Sequence, residues 1–304
     1  MNETDLQAPD AEIRDVAVIG AGLLGSQIAA LTAASRRPVR LYDVAEDAAA
    51  GAVERLRTML TPVIDRGALD WDLESVLGRI TPKPSLSEAV SGVDLVVEAV
   101  REHLPTKRDV FAEISRLNPT ALLASNSSSI PSSALADVVA DPARLVNLHF
   151  FSEFWQRSMV EVMGCGQTSE ATVATMAAFG RSLGLVTAVV HGESKGFIIN
   201  RVWRAVKREA LRVVDEGHAA PEDVDRLWAL FFGTTIGPFG IMDEIGLDVI
   251  ADIEESYIAV ATDPADRTSP TLRRLVAAGQ LGRKTGQGFY HYPGTKDSVL
   301  SPED

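Results

Sequence analysis

Apolar residues recur in two rhythms along the chain, and the change of rhythm divides it. Val16-Ala17-Val18-Ile19 is a short apolar run that stops at a glycine, the pattern of a strand buried on both faces of a parallel sheet. Ile28 to Ala34 is rich in alanine and reads as helix. Val39-Arg40-Leu41-Tyr42-Asp43 predicts a second strand, which completes a βαβ unit of roughly 30 residues. A long helical stretch from about Glu46 to Arg66 and a short one near Asp72–Leu77 follow as an inserted arm. Strand patterning returns at Leu95–Ala99, Ala121–Ser125, Leu145–Phe150, Val160–Met163 and Val186–Val190, with helical patterning between most of them. Strands alternating with helices predict an α/β domain built on a doubly wound parallel sheet.

The rhythm changes at His191-Gly192-Glu193-Ser194-Lys195-Gly196. Ile198, Val202, Val206, Ala210 and Val213 then recur at helical spacing. Pro221, Glu222 and Asp223 fit a helix start, where a missing N–H costs least and the helix dipole favours anions. Gly237-Pro238 breaks the chain, and helix resumes at about 247–261 and 270–278. The sequence therefore predicts one domain over 1–192 and an all-helical domain over 193–304, with residues 1–14 polar and frayed.

Composition narrows the function. At 304 residues the chain is long enough for two domains. Lys and Arg number 29 against 42 Asp and Glu, a net charge of -13, which leaves no broad cationic surface for nucleic acid or an anionic membrane. One cysteine, Cys165, excludes an intrachain disulfide and a four-cysteine zinc site, and no cluster has metal-ligand spacing. Apolar runs such as Leu227–Phe232 fall well short of the ~18 residues of a membrane helix. The start, Met1-Asn2-Glu3-Thr4-Asp5, lacks the cationic and apolar parts of a secretory signal, so a cytoplasmic location is expected.

The first chemical signal is Gly20-Ala21-Gly22-Leu23-Leu24-Gly25, between the first strand and its helix. Gly20 permits a tight turn, Gly22 lets the backbone approach a pyrophosphate, and Gly25 allows close packing of helix on strand. The helix start offers free N–H groups and the positive end of its dipole to phosphates. Asp43 follows Gly25 by 18 residues, close to the ~20 expected of the acid that bonds an adenosine ribose. A carboxylate there repels a 2′-phosphate, and Val44 and Ala45 supply no offsetting cation, so NAD is favoured over NADP. These features define a Rossmann domain with a helical arm.

A longer series of motifs makes the sequence similar to the 3-hydroxyacyl-CoA dehydrogenase family from about residue 14 to 292. After the glycine turn come Val96-Val97-Glu98-Ala99-Val100 with Glu102 and Lys107, then Ser125-Asn126-Ser127-Ser128-Ser129, Leu148-His149-Phe150-Phe151, and Val160-Glu161-Val162. The second half adds Gly196-Phe197-Ile198-Ile199-Asn200-Arg201, Gly237-Pro238-Phe239 with Asp243 and Gly246-Leu247-Asp248, and Gly282 to Tyr290. The order and spacing carry the resemblance more than any one motif. It implies an NAD-dependent oxidoreductase of fatty acid metabolism that interconverts an L-3-hydroxyacyl-CoA and its 3-oxoacyl-CoA. It further implies that His149 is the catalytic base, Glu161 the acid that orients it, and Ser128 and Asn200 the holders of the substrate oxygen. Leu23, Leu24, Ala99, Glu102, Lys107 and Asn126 fall at cofactor-side positions beside the glycines and Asp43, although Glu102 and Lys107 could equally form a surface pair. A homodimer through the helical domain is expected, with Val202, Val206, Trp228, Phe231 and Phe232 as apolar surface.

Histidine suits the base because it titrates near neutrality, and a carboxylate on one ring nitrogen fixes its tautomer. A hydroxyl and an amide can both hold an alcohol that becomes a carbonyl. The chain also departs from the family. His-Phe-Phe-Asn-Pro is usual there, whereas Ser152-Glu153 follows Phe151 here, and Phe154-Trp155-Gln156-Arg157 is bulkier than usual. Trp203 and Arg204 stand at positions often aliphatic, a nearby proline is absent, and the arm carries Arg55, Arg57 and Arg66 rather than a lysine-rich run. Phe154, Trp155 and Trp203 are expected to crowd the acyl path and favour short chains. Two alternatives remain open. One is the same chemistry on an untethered hydroxy acid held by Arg204, or on a chain borne by a carrier protein. The other is a non-catalytic NAD-binding protein, against which the presence of both His149 and Glu161 argues.

Overall fold

The computed structural model describes residues 13–259 and 266–293, so the polar stretch over 1–12, the last residues of the 247–261 helix and the tail beyond 293 lie outside them. Ile13 is already buried and its carbonyl accepts a hydrogen bond from Arg37 Nε, so fraying does not extend to residue 13. The chain divides between Ile198 and Ile199 into two compact units.

The first unit runs β1 (Val16–Ile19), α1 (Leu23–Ala34), β2 (Val39–Tyr42), α2 (Ala48–Asp65), α3 (Leu73–Leu77), β3 (Ile80–Pro82), α4 (Leu86–Val90), β4 (Leu95–Glu98), α5 (Leu104–Leu117), β5 (Leu122–Ser125), β6 (Leu145–Phe150), β7 (Met159–Gly164), α6 (Glu170–Ser182) and β8 (Val186–Val190). They form one eight-stranded sheet in the order β3-β2-β1-β4-β5-β6-β7-β8. Alternate residues of the central strands feed opposite layers. Val16 and Val18 of β1 join the core under α1 and α2, whereas Ala17 and Ile19 join the core under α5. Every residue of β1 and β4 is therefore buried, which is why these strands read as unbroken apolar runs.

β3 was not legible in the sequence. It is three residues long, ends in Pro82 and lies at the sheet edge, where a missing N–H is tolerated. The sheet is also not wholly parallel, because β7 runs against β6 while pairing parallel with β8. Only residues 151–158 join β6 to β7, too few for the crossover that a parallel pair requires.

The second unit is helical: α7 (Ile199–Asp215), α8 (Pro221–Phe232), α9 (Pro238–Ile245), α10 (Leu247–Ile258) and α11 (Pro270–Ala277). Pro238 is the first residue of α9, so the proline starts a helix as well as ending the preceding turn. Phe239, Met242, Leu247, Ile250, Leu272 and Leu275 make the core. The Gly282–Tyr290 motif is a structural clasp on that core. Asp243 is buried and accepts the N–H groups of Phe289 and Tyr290 and the Tyr292 hydroxyl, and a Cβ on Gly288 would run into its carboxylate. Burial pushes the Asp243 carboxyl above its ordinary range, against the pull of those donors. Leu227, Leu230, Phe231 and Phe232 of α8 remain exposed, Phe231 at 83%. Among the described residues, no helix is long and apolar enough to cross a membrane.

Candidate active site

The strand order reverses between β1 and β4, and such a switch point is where an open α/β sheet binds its ligand. The glycine turn stands there. A Cβ on Gly25 would collide with the Gly20 carbonyl oxygen, and one on Gly20, whose φ is +106, would meet Ala99 O at 2.5 Å. Close packing of α1 on β1 and β4 therefore requires both glycines. At Gly22 a Cβ would meet nothing within 4 Å. Open space faces the backbone at this one glycine, where a pyrophosphate must approach. Gly22 is also the N-cap of α1, which carries no side-chain cap and no acid in its first turn. The first N–H groups of α1, including those of Leu23 and Leu24, are thus presented as an anion site.

Asp43, just past β2, is fixed against this turn. Its Oδ2 accepts the Ala21 N–H at 2.7 Å and its Oδ1 the Ala45 N–H at 2.9 Å. Lone pairs remain on both oxygens for a ribose hydroxyl. A residue the motif did not reveal lies opposite: Arg55 of α2 donates to Ala21 O at 2.7 Å. Sequence places Arg55 on the arm, and only the fold brings that turn of α2 over the glycines. The residues present thus fit a dinucleotide with an unphosphorylated adenosine ribose.

Glu98 ends β4 with its side chain fully buried. Its Oε1 accepts the Val100 N–H and the Lys107 ammonium, each at 2.7 Å, and its Oε2 accepts the Ser125 hydroxyl at 2.8 Å. Lys107 is 1% exposed, so it belongs to no surface pair. Its ammonium also lies 3.3 Å from Glu102 Oε2. Glu102 in turn accepts from the Ser127 hydroxyl and from both the N–H and hydroxyl of Ser129. Burial works to raise the Glu102 carboxyl, but the Ser127 hydroxyl, the Lys107 charge and Ser129 outweigh it and hold it below the ordinary range. This relay, buried at Glu98 and Lys107 and open at Glu102, shapes the turn on which Ser128 stands exposed between two anchored serines. Asn126 is likewise engaged, its Oδ1 accepting the Phe150 N–H at 2.8 Å, which ties the end of β5 to the end of β6.

His149 lies on that β6 end. The antiparallel register places it directly opposite Glu161 of β7, and His149 Nδ1 donates to Glu161 Oε2 at 2.9 Å with both side chains 6% exposed. Glu161 Oε1 accepts the Ile198 N–H at 3.0 Å, so both carboxylate oxygens are held. The imidazole stands beside the rings of Phe151 at 4.4 Å and Phe197 at 4.9 Å. Phe197 was missed as a site residue. It sits at φ +55 just after Gly196 at φ +80, and this turn brings its ring to the histidine. With Nδ1 committed to Glu161, Nε2 carries the lone pair.

Three sequence expectations are corrected. Phe154 is buried and stacks on Trp71 at 5.3 Å, and Trp155 packs edge-on to Phe154 against the same core. Phe154 fills the core beneath the arm because the loop turns inward after Glu153, so it supplies no wall for an acyl chain, and Trp155 lies half-buried against it. Trp203 packs on the core of the second unit. Arg204 is not free for a substrate carboxylate. It donates to Glu254 at 3.1 Å and to Asp266 at 2.7 Å and lies over the Tyr257 ring at 4.3 Å. Asn200 is the second residue of α7, half-buried, in the helical unit. Among the described residues, no group of His, Cys, Asp or Glu could hold a metal ion.

An open glycine turn at the switch point, with a carboxylate fixed beside it, fits the class of dinucleotide-binding α/β proteins. Residues 15–194 match the profile of the 3-hydroxyacyl-CoA dehydrogenase NAD binding domain, and residues 196–292 match that of the 3-hydroxyacyl-CoA dehydrogenase C-terminal domain. A probable 3-hydroxybutyryl-CoA dehydrogenase of Bacillus subtilis is 36% identical over 283 residues, 92% of this chain and 98% of that one. The crystal structure of (S)-3-hydroxybutyryl-CoA dehydrogenase from Ralstonia eutropha superposes with a TM-score of 0.86 at 34% identity, covering 92% of this chain and 99% of that one. A 5-formyl-3-hydroxy-2-methylpyridine 4-carboxylate 5-dehydrogenase of Mesorhizobium japonicum is 34% identical over 299 residues, 96% of this chain and 94% of that one. The chain belongs to the 3-hydroxyacyl-CoA dehydrogenase family, as an NAD-dependent enzyme.

Proposed function

We propose that the enzyme interconverts a short-chain L-3-hydroxyacyl-CoA and the corresponding 3-oxoacyl-CoA, with His149 and Glu161 as the proton-transfer dyad. The observation that carries this reading is the buried 2.9 Å bond between them, at the same carboxyl end of the parallel strands as the dinucleotide turn. NAD, when bound, supplies the hydride acceptor in oxidation and, as NADH, the donor in reduction. His149 Nε2 accepts the C3 hydroxyl proton during oxidation and returns it during reduction. Glu161 fixes the tautomer and supports the imidazolium. Ser128 is assigned to the substrate oxygen because the Glu102 relay presents its turn, and Asn200 is assigned the same role on its motif alone.

The short-chain preference rests on likeness to enzymes named for 3-hydroxybutyryl-CoA, since the aromatic argument does not hold. A panel of C4 to C10 3-hydroxyacyl-CoAs tests it. C4 should lead in kcat/KM, and a profile rising steadily with length would refute it. Trp155→Ala should lower thermal stability and leave that profile in place. A second reading, the same chemistry on an untethered hydroxy acid, draws on the altered loop after His149 and on the Mesorhizobium relative only in that its named substrate is not a thioester. Turnover of free hydroxy acids without turnover of any thioester would select it.

The position of Asp43 supports at least ~10-fold preference for NAD over NADP in kcat/KM, because a 2′-phosphate would face a fixed carboxylate. Equal efficiency would sink the assignment. Asp43→Ala should narrow the gap chiefly by weakening NAD, because it also frees the Ala21 N–H. The exposed Leu227, Leu230, Phe231 and Phe232 support a homodimer through α8, as a contiguous apolar patch marks an interaction site. Light scattering should report a dimer, and Phe231→Glu should shift it to monomer. A wild type that remains monomeric at micromolar concentration would refute the dimer.

A further inference from the structure

Helix α1 is buried without a break from Gly25 to Ala33, and within that run stands Gln27, 2% exposed. A buried amide is costly unless bonded. Gln27 Oε1 accepts the Glu153 N–H at 2.7 Å, from a residue 126 positions along the chain. Its Nε2 lies 3.5 Å from Met59 Sδ on α2. The single side chain therefore joins the dinucleotide helix, the arm and the loop that leaves His149.

The donor residue departs from the family pattern, which has proline where Glu153 stands. Glu153 has a φ of +56. Proline is confined near -65° and has no N–H, so it could neither follow this path nor make this bond. The rest of the loop is built around the same residue. Glu153 O accepts the N–H groups of Gln156 and Arg157, and its carboxylate pairs with Arg157 at 2.9 Å. Phe154 then enters the core against Trp71, and Phe151, two residues before Glu153, packs on the His149 ring.

We infer that Gln27 is a positioning residue for the proton-transfer site. By holding the Glu153 amide it sets the course of residues 151–158, and through Phe151 the seat of the imidazole. It replaces a rigid proline with a tether to the helix that faces the cofactor phosphates. The inference rests on the dyad proposed above, but the bond itself can be tested without turnover.

Three variants separate the amide from the side chain. Gln27→Leu removes the acceptor, Glu153→Pro removes the donor and forbids the positive φ, and Glu153→Gly keeps the N–H and takes that φ without strain. Near-UV circular dichroism of the Trp71–Phe154–Trp155 cluster reads the loop directly. Gln27→Leu and Glu153→Pro should alter that signal alike, and Glu153→Gly should keep the wild-type signal. In turnover, the first two should lower kcat about 10-fold, the scale of a small misplacement near the chemistry, while the Kd for NADH stays within about 2-fold. The double variant should lose no more than the worse single one, because both delete one bond. An unchanged spectrum and kcat in Gln27→Leu would overturn the inference, as would multiplicative losses or a Glu153→Gly as impaired as Glu153→Pro. If Gln27→Leu does not fold, the two Glu153 variants on their surface loop carry the comparison alone. If the wild type turns over neither a thioester nor a free hydroxy acid, the dyad reading fails while the spectra still decide the tether.

Discussion

His149→Ala should lower kcat by at least ~10²-fold, the low end for general acid–base catalysis, and leave the Kd for NADH nearly unchanged. The ring is held by Glu161 at Nδ1 and flanked by Phe151 and Phe197, away from the residues that bond the glycine turn, Asp43 and Arg55. Glu161→Gln is the more informative partner variant. One oxygen of Glu161 serves His149 and the other serves the Ile198 N–H. A glutamine can keep its carbonyl on Ile198 only by turning its NH₂ toward Nδ1. That would force the proton to Nε2 and present the wrong tautomer to substrate. The loss should therefore approach that of His149→Ala with little change in Tm. Glu161→Ala should lose stability too, by stranding the Ile198 amide. The double variant should lose less than the product of the singles, since the pair acts as a unit. Near-normal turnover in His149→Ala would end the dyad reading.

The largest stability effect is expected at Lys107→Met. Glu98 and Lys107 are both removed from water, so deleting the cation leaves a buried carboxylate with only the Val100 N–H and the Ser125 hydroxyl. Breaking such a pair from one side costs about 3–5 kcal/mol. At roughly 2–4 °C per kcal/mol for a domain of this size, Tm should fall by about 10 °C. Glu98→Gln combined with Lys107→Met should recover part of the loss, because no charge is then left uncompensated. A Lys107→Met protein melting within about 2 °C of wild type would show that water reaches the pair. The same variant loosens Glu102, and with it the turn that carries Ser128, so a loss of kcat is expected below the melt.

Much of this was legible before the structure, for reasons that differ from residue to residue. β1 and β6 coincide with their apolar runs, since every residue of each is buried, and β8 coincides with its run as a partly exposed edge strand. The glycine turn and Asp43 were legible because their chemistry needs fixed residue types at fixed spacing. Burial of Lys107 was not, because a lysine on a helix reads as solvated until the fold brings Glu98 from the preceding strand against it. Phe154 and Trp155 misled for a related reason. A loop has no periodicity, so nothing in the sequence said which way those rings turn. Gln27 did leave a trace, a long polar side chain in a helix whose other polar residues, Ser26 and Thr32, are small. Its partner, 126 residues away, left none.

The pairing of His149 with Glu161 across β6 and β7 bears on how this enzyme can diverge. Their distance is set by strand register and not by the residues of the connecting segment. Insertions or deletions confined to 151–158 should leave the two side chains facing each other, provided the ladder on either side is kept. A one-residue slip of β7, by contrast, would carry Glu161 to the opposite face of the sheet and abolish the pair outright. Residues 151–158 can therefore change in length without unpairing the dyad, within the limits set by the Gln27–Glu153 bond, Phe151 and the buried Phe154, whereas the strands beside them cannot slip. A segment grafted from a relative should keep the pair facing, provided the residue at 27 is exchanged with it.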